Sequence, residues 1–330
     1  MDADDLIDAL RRLKLVGDKE AVRLSPLTGG VSSDICLVET GERRFCVKRA
    51  LTRLKVSAVW EAPIERNRAE AAWMRRVGAW LPQAVPTILG EDEAQGFFAM
   101  TYLPPDDNPV WKAELLQGVV DLAFAGQVGR DLATIHARSA ADPSIAADFA
   151  NDVTFEQIRI EPYLRATGLA HRELAGRFAA LADAALNNKR ALIHGDVSPK
   201  NILCAAAGPV FLDAECATHG DPAFDLAFCL NHLLLKGARL GAERAPYSEA
   251  FRRLLAAYLA DVTWEARSAV EARAAALLPA LFLARVDGKS PVEYLTRDKE
   301  KNAVRRFAIP LIREPSTSLS EIVDLWSAAS

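Results

Sequence analysis

Two periodicities divide the chain. In AVRLSPL, ICLVET and FCVKRA, apolar and polar positions alternate, and the turns LTGGVSSD and GERR separate these segments. A repeat of two with β-branched residues and Gly-containing turns predicts strands joined as hairpins. A short amphipathic helix is expected before them, over 4–15. APIERNRAEAAWMRRVGAWL predicts a longer helix, with Pro63 suited to its first turn and Gly78 near its end. FFAMTYL reads as a further strand, broken by Pro104-Pro105-Asp106-Asp107. Beyond it the spacing changes to three and four. In DLAFAGQVGRDLATIHARS, Ala125, Val128, Leu132 and Ile135 make one buried stripe. Helices follow over 174–187, 248–262 and 264–286, and FDLAFCLNHLLLK, apolar nearly all round, predicts a helix in the centre of a core. The expected fold class is α+β in two lobes. A small β-rich lobe with one main helix occupies 1–103, a hinge lies at about 100–104, and a larger, mainly helical lobe occupies 104–330.

Composition adds limits. With 330 residues, half of them hydrophobic, the chain can bury a core in each of two lobes. The net charge of −4 comes without a basic stripe, which speaks against a nucleic-acid partner. Cys36, Cys46, Cys204, Cys216 and Cys229 lie singly and form no CxxC, the pattern of buried free thiols in a reducing cytoplasm. MDADDLIDAL lacks the apolar stretch of a signal peptide. The longest apolar run, AAALLPALFLA, contains Pro279 and falls short of the roughly 20 residues a membrane span needs. A cytoplasmic protein without a membrane partner is expected.

The chemistry concentrates in LIHGDVSPKNIL, residues 192–203, and in GPVFLDAE just after it. An Asp on a loop after a strand can take a proton from a hydroxyl held beside it. Asn201 offers a neutral oxygen to a hard cation and Asp213 an anionic one, and Mg2+ favours one or two carboxylates with phosphate oxygens and water. Singly, Asp196 can instead cap a turn, Asn201 satisfy loop backbone, and Asp213 close a strand end.

HGDVSPKN followed by VFLDAE and GDPAFDLA resembles the aminoglycoside phosphotransferase and choline kinase branch of the protein-kinase-like fold. The match is specific over 193–229, and the order of lobes agrees along nearly the whole chain. The resemblance implies ATP and Mg2+ as cofactors and a small-molecule hydroxyl as acceptor. It makes Asp196 the catalytic carboxylate and gives Mg2+ to Asn201 and Asp213. His194 and Gly195 would shape the loop, and Asp225 would brace it through backbone N–H groups or cap the apolar helix. Upstream, Gly29, Gly30, Ser32 and Ser33 would cover phosphates. Lys48 would neutralise the α- and β-phosphates, paired with Glu70 or, failing that, Glu65. Thr101 through Leu103 would present backbone groups to adenine, with Met100 behind.

Two departures favour a small acceptor over a protein. Ser198 stands where protein kinases carry a lysine, leaving Lys200 to reach the γ-phosphate or solvent, and AECATHGDPAFDLAF is too short for a long activation segment. Acceptor contacts are expected from Trp111, Arg159, Glu161, Tyr163, Arg285 and Asp287. No dense acidic patch suits a polycationic antibiotic. The competing readings are a nucleotide-binding pseudokinase acting as an interaction module and a true protein kinase.

Overall fold

The computed structural model describes residues 3–27, 33–50, 66–240 and 244–329; Gly29, Gly30, Ser32, Pro63 and Glu65 lie outside them. The segments read as strands are β1 (Arg23–Leu27), β2 (Ser33–Glu39), β3 (Arg44–Ala50) and β5 (Phe97–Thr101), and a strand not expected from the sequence, β4 (Ile88–Asp92), precedes β5. They form one antiparallel sheet in the order β1-β2-β3-β5-β4. The period of two sorts the side chains of β3. Phe45 and Val47 pack with Val38, Phe97 and Ala99 against Ala9 and Leu10 of α1 (Ala3–Arg12). Cys46, Phe98 and Met100 take the other face and join the main core with Trp73, Met74 and Val77 of α2 (Arg66–Trp80). Lys48 shares that second face. It pairs in register with Ile35 on β2 and Phe98 on β5, so it sits inside the central strand and not on an edge.

After β5 the chain turns helical. α3 (Trp111–Leu116) leads to α4 (Leu122–Ala140), capped by Asp121, whose carboxylate accepts the N–H groups of Ala123 and Phe124. The short helices α5 (Ile145–Asp148) and α6 (Asp152–Phe155) run into a π-helical stretch over Glu156–Arg165, then α7 (Ala166–Ala170) and α8 (Ala175–Asn187). Pro162 lies in the π-helical stretch and has no N–H to give, so the regular ladder cannot pass through it. Four short strands follow. β6 (Ala191–Ile193) pairs with β9 (Thr218–Gly220) and encloses the hairpin of β7 (Ile202–Ala205) and β8 (Gly208–Phe211). The remaining helices are α9 (Pro222–Leu240), α10 (Ala245–Ala260), α11 (Arg267–Asp287), α12 (Asp298–Arg313) and α13 (Leu319–Ala328).

The predicted stripe of α4 is buried, as is FDLAFCLNHLLLK at the centre of the large lobe. Gly129 lets α4 meet α10 closely, because a Cβ there would stand 2.3 Å from the Leu254 carbonyl oxygen. Pro279 sits inside α11 without ending it. Among the described residues no helix is long and apolar enough to cross a membrane.

Candidate active site

The loop after β6 is set by backbone demands. Gly195 has φ +77°, and a Cβ on it would lie 2.8 Å from that of Cys216. Asp225, in the first turn of α9, accepts the N–H groups of His194 and Gly195 at 2.7 and 2.8 Å. It therefore braces the loop from inside the helix; Asp221, just before the helix, accepts the Ala223 N–H instead. His136 bridges Asp225 at 3.3 Å and the Tyr258 hydroxyl at 2.8 Å, tying α4, α9 and α10 to the loop. The Nδ1 of His194 accepts the Asp196 N–H at 3.2 Å, and its Nε2 donates to the Leu212 carbonyl at 3.0 Å. Burial pushes the pKa of this imidazole down, in keeping with the neutral ring those two bonds require.

Asp196 is buried and holds two cations on one oxygen. Its Oδ2 lies 2.6 Å from Arg159 and 3.0 Å from Lys200. Burial alone would raise its pKa, but Arg159 and Lys200 outweigh it and hold the carboxyl below the usual range. The other oxygen, Oδ1, is buried without a hydrogen-bond partner. Arg159 projects from the π-helical stretch and also donates to the Gly195 carbonyl at 2.8 Å and the Ile158 carbonyl at 2.6 Å. Its charge is spent on orienting Asp196, so it does not offer a free guanidinium to an acceptor.

Across the cleft, Lys48 Nζ stands 2.7 Å from Glu70 Oε2 and 2.6 Å from Asp213 Oδ1. Asp213 has φ +65°, and its N–H donates to Glu70 Oε1 at 3.1 Å. An Asp tolerates this left-handed backbone better than most side chains. Burial works against the ammonium of Lys48, yet Asp213 and Glu70 outweigh it and its pKa rises. The two carboxylates sharing that cation separate. Burial pushes Glu70 up to about 7 despite Lys48, whereas for Asp213 Lys48 and Lys200 overcome burial and hold the carboxyl well below its ordinary value. Glu70 is the partner the structure brings to Lys48, and Glu65 lies outside the described residues. A second buried pair, Arg66 to Glu215 at 2.9 Å, lies beside this cluster and was not read from the sequence. Glu215 follows Asp213 by two residues, and that position in LDAE was the available signal.

Lys48, Glu70 and Asp213 line a cavity of about 620 Å³, counted with its open mouth, together with Ser33, Met100, Lys200 and Asn201. The size suits a small ligand. Asn201 donates to the Asp196 carbonyl at 3.1 Å, which aims its amide oxygen away from that bond. Neither that oxygen nor Asp213 Oδ2 accepts a hydrogen bond from the described residues. One neutral and one anionic oxygen in a shared cavity fit a hard cation that takes its other ligands from phosphate and water. Among the described residues no group of three or more His, Cys, Asp or Glu side chains could hold a metal alone.

The structure separates the remaining expected contacts. The Thr101 N–H donates to the Thr87 carbonyl at 3.0 Å, so that donor is spent within the lobe; Leu103 lies just past the strand. Neither residue lines the cavity, although Met100 does. Trp111 is buried against Phe124. Glu161 pairs with Lys289, and Asp287 is held by His171 at 2.9 Å and Arg305 at 2.5 Å. Arg159, Glu161, Arg285 and Asp287 thus do not share one acceptor surface. Arg285 lines a second cavity, of about 270 Å³ with its mouth, beyond Lys200 and Ser198. Lys112, His232, Lys236 and Tyr294 line it too and were missed; Lys236, closing the apolar run FDLAFCLNHLLLK, was the one visible signal.

The model of a family described as the phosphotransferase enzyme family matches residues 23–268. A methylthioribose kinase of Erwinia tasmaniensis is 28% identical over 221 residues, covering 59% of this chain and 55% of its own. One from Pectobacterium atrosepticum is 24% identical over 287 residues, covering 76% and 70%. The chain therefore spans little more than half the length of the first of these relatives. Among solved structures, an amicoumacin kinase in complex with AMP-PNP, Ca2+ and Ami superposes with a TM-score of 0.60 at 13% identity, covering 97% of each chain. A choline kinase of Cryptosporidium parvum Iowa II gives 0.58 at 11% identity, over 99% and 98%. At such identities the likeness concerns the fold, a two-lobed, kinase-like α+β architecture.

Proposed function

The chain belongs to the phosphotransferase enzyme family, and from that premise we propose that it is an ATP-dependent small-molecule O-kinase. The observation that carries the reading is the meeting of Lys48 with Glu70 and Asp213, 22 and 165 residues away in sequence, in one cavity with Asn201 and Lys200. In this reading Asn201 and Asp213 hold Mg2+, which when bound supplies positive charge to the phosphates. Lys48 and Lys200 add charge where negative charge develops. Gly29, Gly30, Ser32 and Ser33 cover the phosphates. Leu103 takes over the adenine-side donor role that Thr101 has given up. The lobes divide at about 103, and the compartment is the cytoplasm, where all five cysteines, free here, stay reduced.

Asp196 Oδ1 receives the acceptor hydroxyl. A bond forms between the acceptor's hydroxyl oxygen and the γ-phosphorus, the bond from phosphorus to the ADP oxygen breaks, and the hydroxyl proton leaves through Asp196. A carboxylate held below its usual pKa is a weak base. Its main service is therefore orientation, with the proton moving late. The acceptor is a small molecule, since the stretch between Asp213 and α9 holds only β9 and tight turns.

The test is transfer of labelled γ-phosphate from Mg-ATP to a panel of small hydroxyl compounds, with Asp196→Asn alongside. The variant should lose about 10³-fold or more in kcat and still bind Mg-ATP within about threefold of wild type. Near-normal turnover by Asp196→Asn, or no Mg-ATP binding by the wild type, overturns the assignment.

A further inference from the structure

We infer that the second cavity receives an acceptor carrying an anionic group, a carboxylate or a phosphate monoester, beside the hydroxyl presented to Asp196. The inference deepens the kinase reading and rests on it. Four cationic side chains, Lys112, Lys200, Lys236 and Arg285, line this small space against one carboxylate, Glu293, which is already paired with Lys112. Lys200 lines both cavities and its ammonium stands 3.0 Å from Asp196 Oδ2, so the group the two spaces share is the one that touches the carboxylate assigned to the hydroxyl.

The wall is built for a ligand with acceptor atoms. Lys236, on α9, is 2% exposed and makes no hydrogen bond or ion pair with the described residues. Its ammonium rests against the Tyr294 ring, 5.1 Å from the centroid. A buried charge without a counter-charge is costly. Three polar atoms of the same wall, Ser198 Oγ, Arg285 Nε and Tyr294 Oη, are also buried without partners. All three can donate, and an anion would satisfy them together with Lys236. Burial and the surrounding cations press Lys236 down to about 7 and His232 well below its ordinary value, as expected of a site short of negative charge. A cationic acceptor would enter beside Lys112, Lys200 and Arg285, and a neutral one would leave Lys236 without the counter-charge that an anion brings.

A matched three-carbon series tests the inference: D-glycerate, sn-glycerol 3-phosphate, glycerol and 3-amino-1,2-propanediol. Turnover is followed by ADP release under saturating Mg-ATP, and binding by calorimetry with and without Mg-AMP-PNP. At least one anion should exceed glycerol in kcat/KM by about tenfold or more, with the amine poorest. Which anion leads decides between carboxylate and phosphate. Lys236→Met, close in length, should shrink the anion-to-glycerol ratio by about tenfold. The wild-type ranking stands without the variant should that variant not fold. If Mg-AMP-PNP binds but glycerol or the amine equals both anions, or neither anion binds at millimolar concentration, the anionic acceptor is refuted and the kinase reading survives. If Mg-AMP-PNP does not bind, the kinase reading falls, and binding of the anions alone decides the preference of the cavity.

Discussion

Lys48 carries one positive charge between two carboxylates, and that imbalance makes the site measurable at single residues. Replacing the lysine leaves Glu70 and Asp213 facing each other without a cation, whereas replacing Glu70 leaves Lys48 its bond to Asp213. Lys48→Met should therefore cost about 3–5 kcal/mol and Glu70→Gln less, about 1–3 kcal/mol, in urea unfolding; the reverse order would contradict the arrangement. Glu70 also gives a pH signature. Its carboxyl titrates near 7 in the folded chain against an ordinary 4.5. Between those values the folded state holds a proton that the unfolded chain has released, so this group makes stability fall as pH rises. Glu70→Gln should flatten that part of the profile. Asp196, Asn201 and Asp213 could be singled out because short motifs fix their spacing on neighbouring turns, whereas Lys48 was named only through the family resemblance; the structure brings Lys48, Asn201 and Asp213 to one cavity. Arg159 was found for a different role, since nothing local reveals that a residue 37 positions before Asp196 ends 2.6 Å from it.

Elements read well wherever one periodicity ruled a segment. Four of the five small-lobe strands, the stripe of α4 and the largely apolar α9 followed from spacing, because burial of one face or of nearly all faces leaves a direct imprint on the sequence; β4 was not read. The stretch over Glu156–Arg165 did not, because its widened turns depend on Pro162 and on packing that a local window cannot contain. α12 also escaped notice: DKEKNAVRRFAIPLIR is charge-rich and buries little beyond Val304, Ala308 and Ile312. Helix spacing gives a prediction of its own. Because a Cβ on Gly129 would press on the Leu254 backbone, and not on a side chain free to swing away, α4 and α10 must part to admit it. Gly129→Ala should lower stability by about 1–3 kcal/mol while changing the KM for ATP little, since neither helix lines the nucleotide cavity. Unchanged stability in chemical unfolding would mean that the helices slide more easily than their packing implies.

At the scale of the molecule, charge read as a sum and charge read as a distribution disagree. The chain is acidic overall, yet the cavity beyond Asp196 is lined by cations brought from separate elements. Lys112 comes from α3, Lys200 from the loop before β7, His232 and Lys236 from α9, and Arg285 from α11, with Glu293 and Tyr294 closing the wall. Only the assembled large lobe creates that field, so no sequence window could display it. Its effect on Lys236 should be visible in the stability of the whole protein. Folded, that lysine titrates near 7, pressed down by burial and by Lys112, although Glu293 opposes them; unfolded, it holds its proton to about 10.5. Between these values the unfolded chain binds more protons than the folded one, so this residue makes stability rise with pH, by at most about 1.4 kcal/mol per unit. Urea unfolding of wild type and Lys236→Met at pH 7.5, 8.5 and 9.5 should give curves that diverge, the wild type gaining on the variant as pH increases. Parallel curves would mean that the ammonium keeps its charge throughout this range, which requires a counter-charge or water reaching it and would remove the unmet demand on which anion selectivity depends.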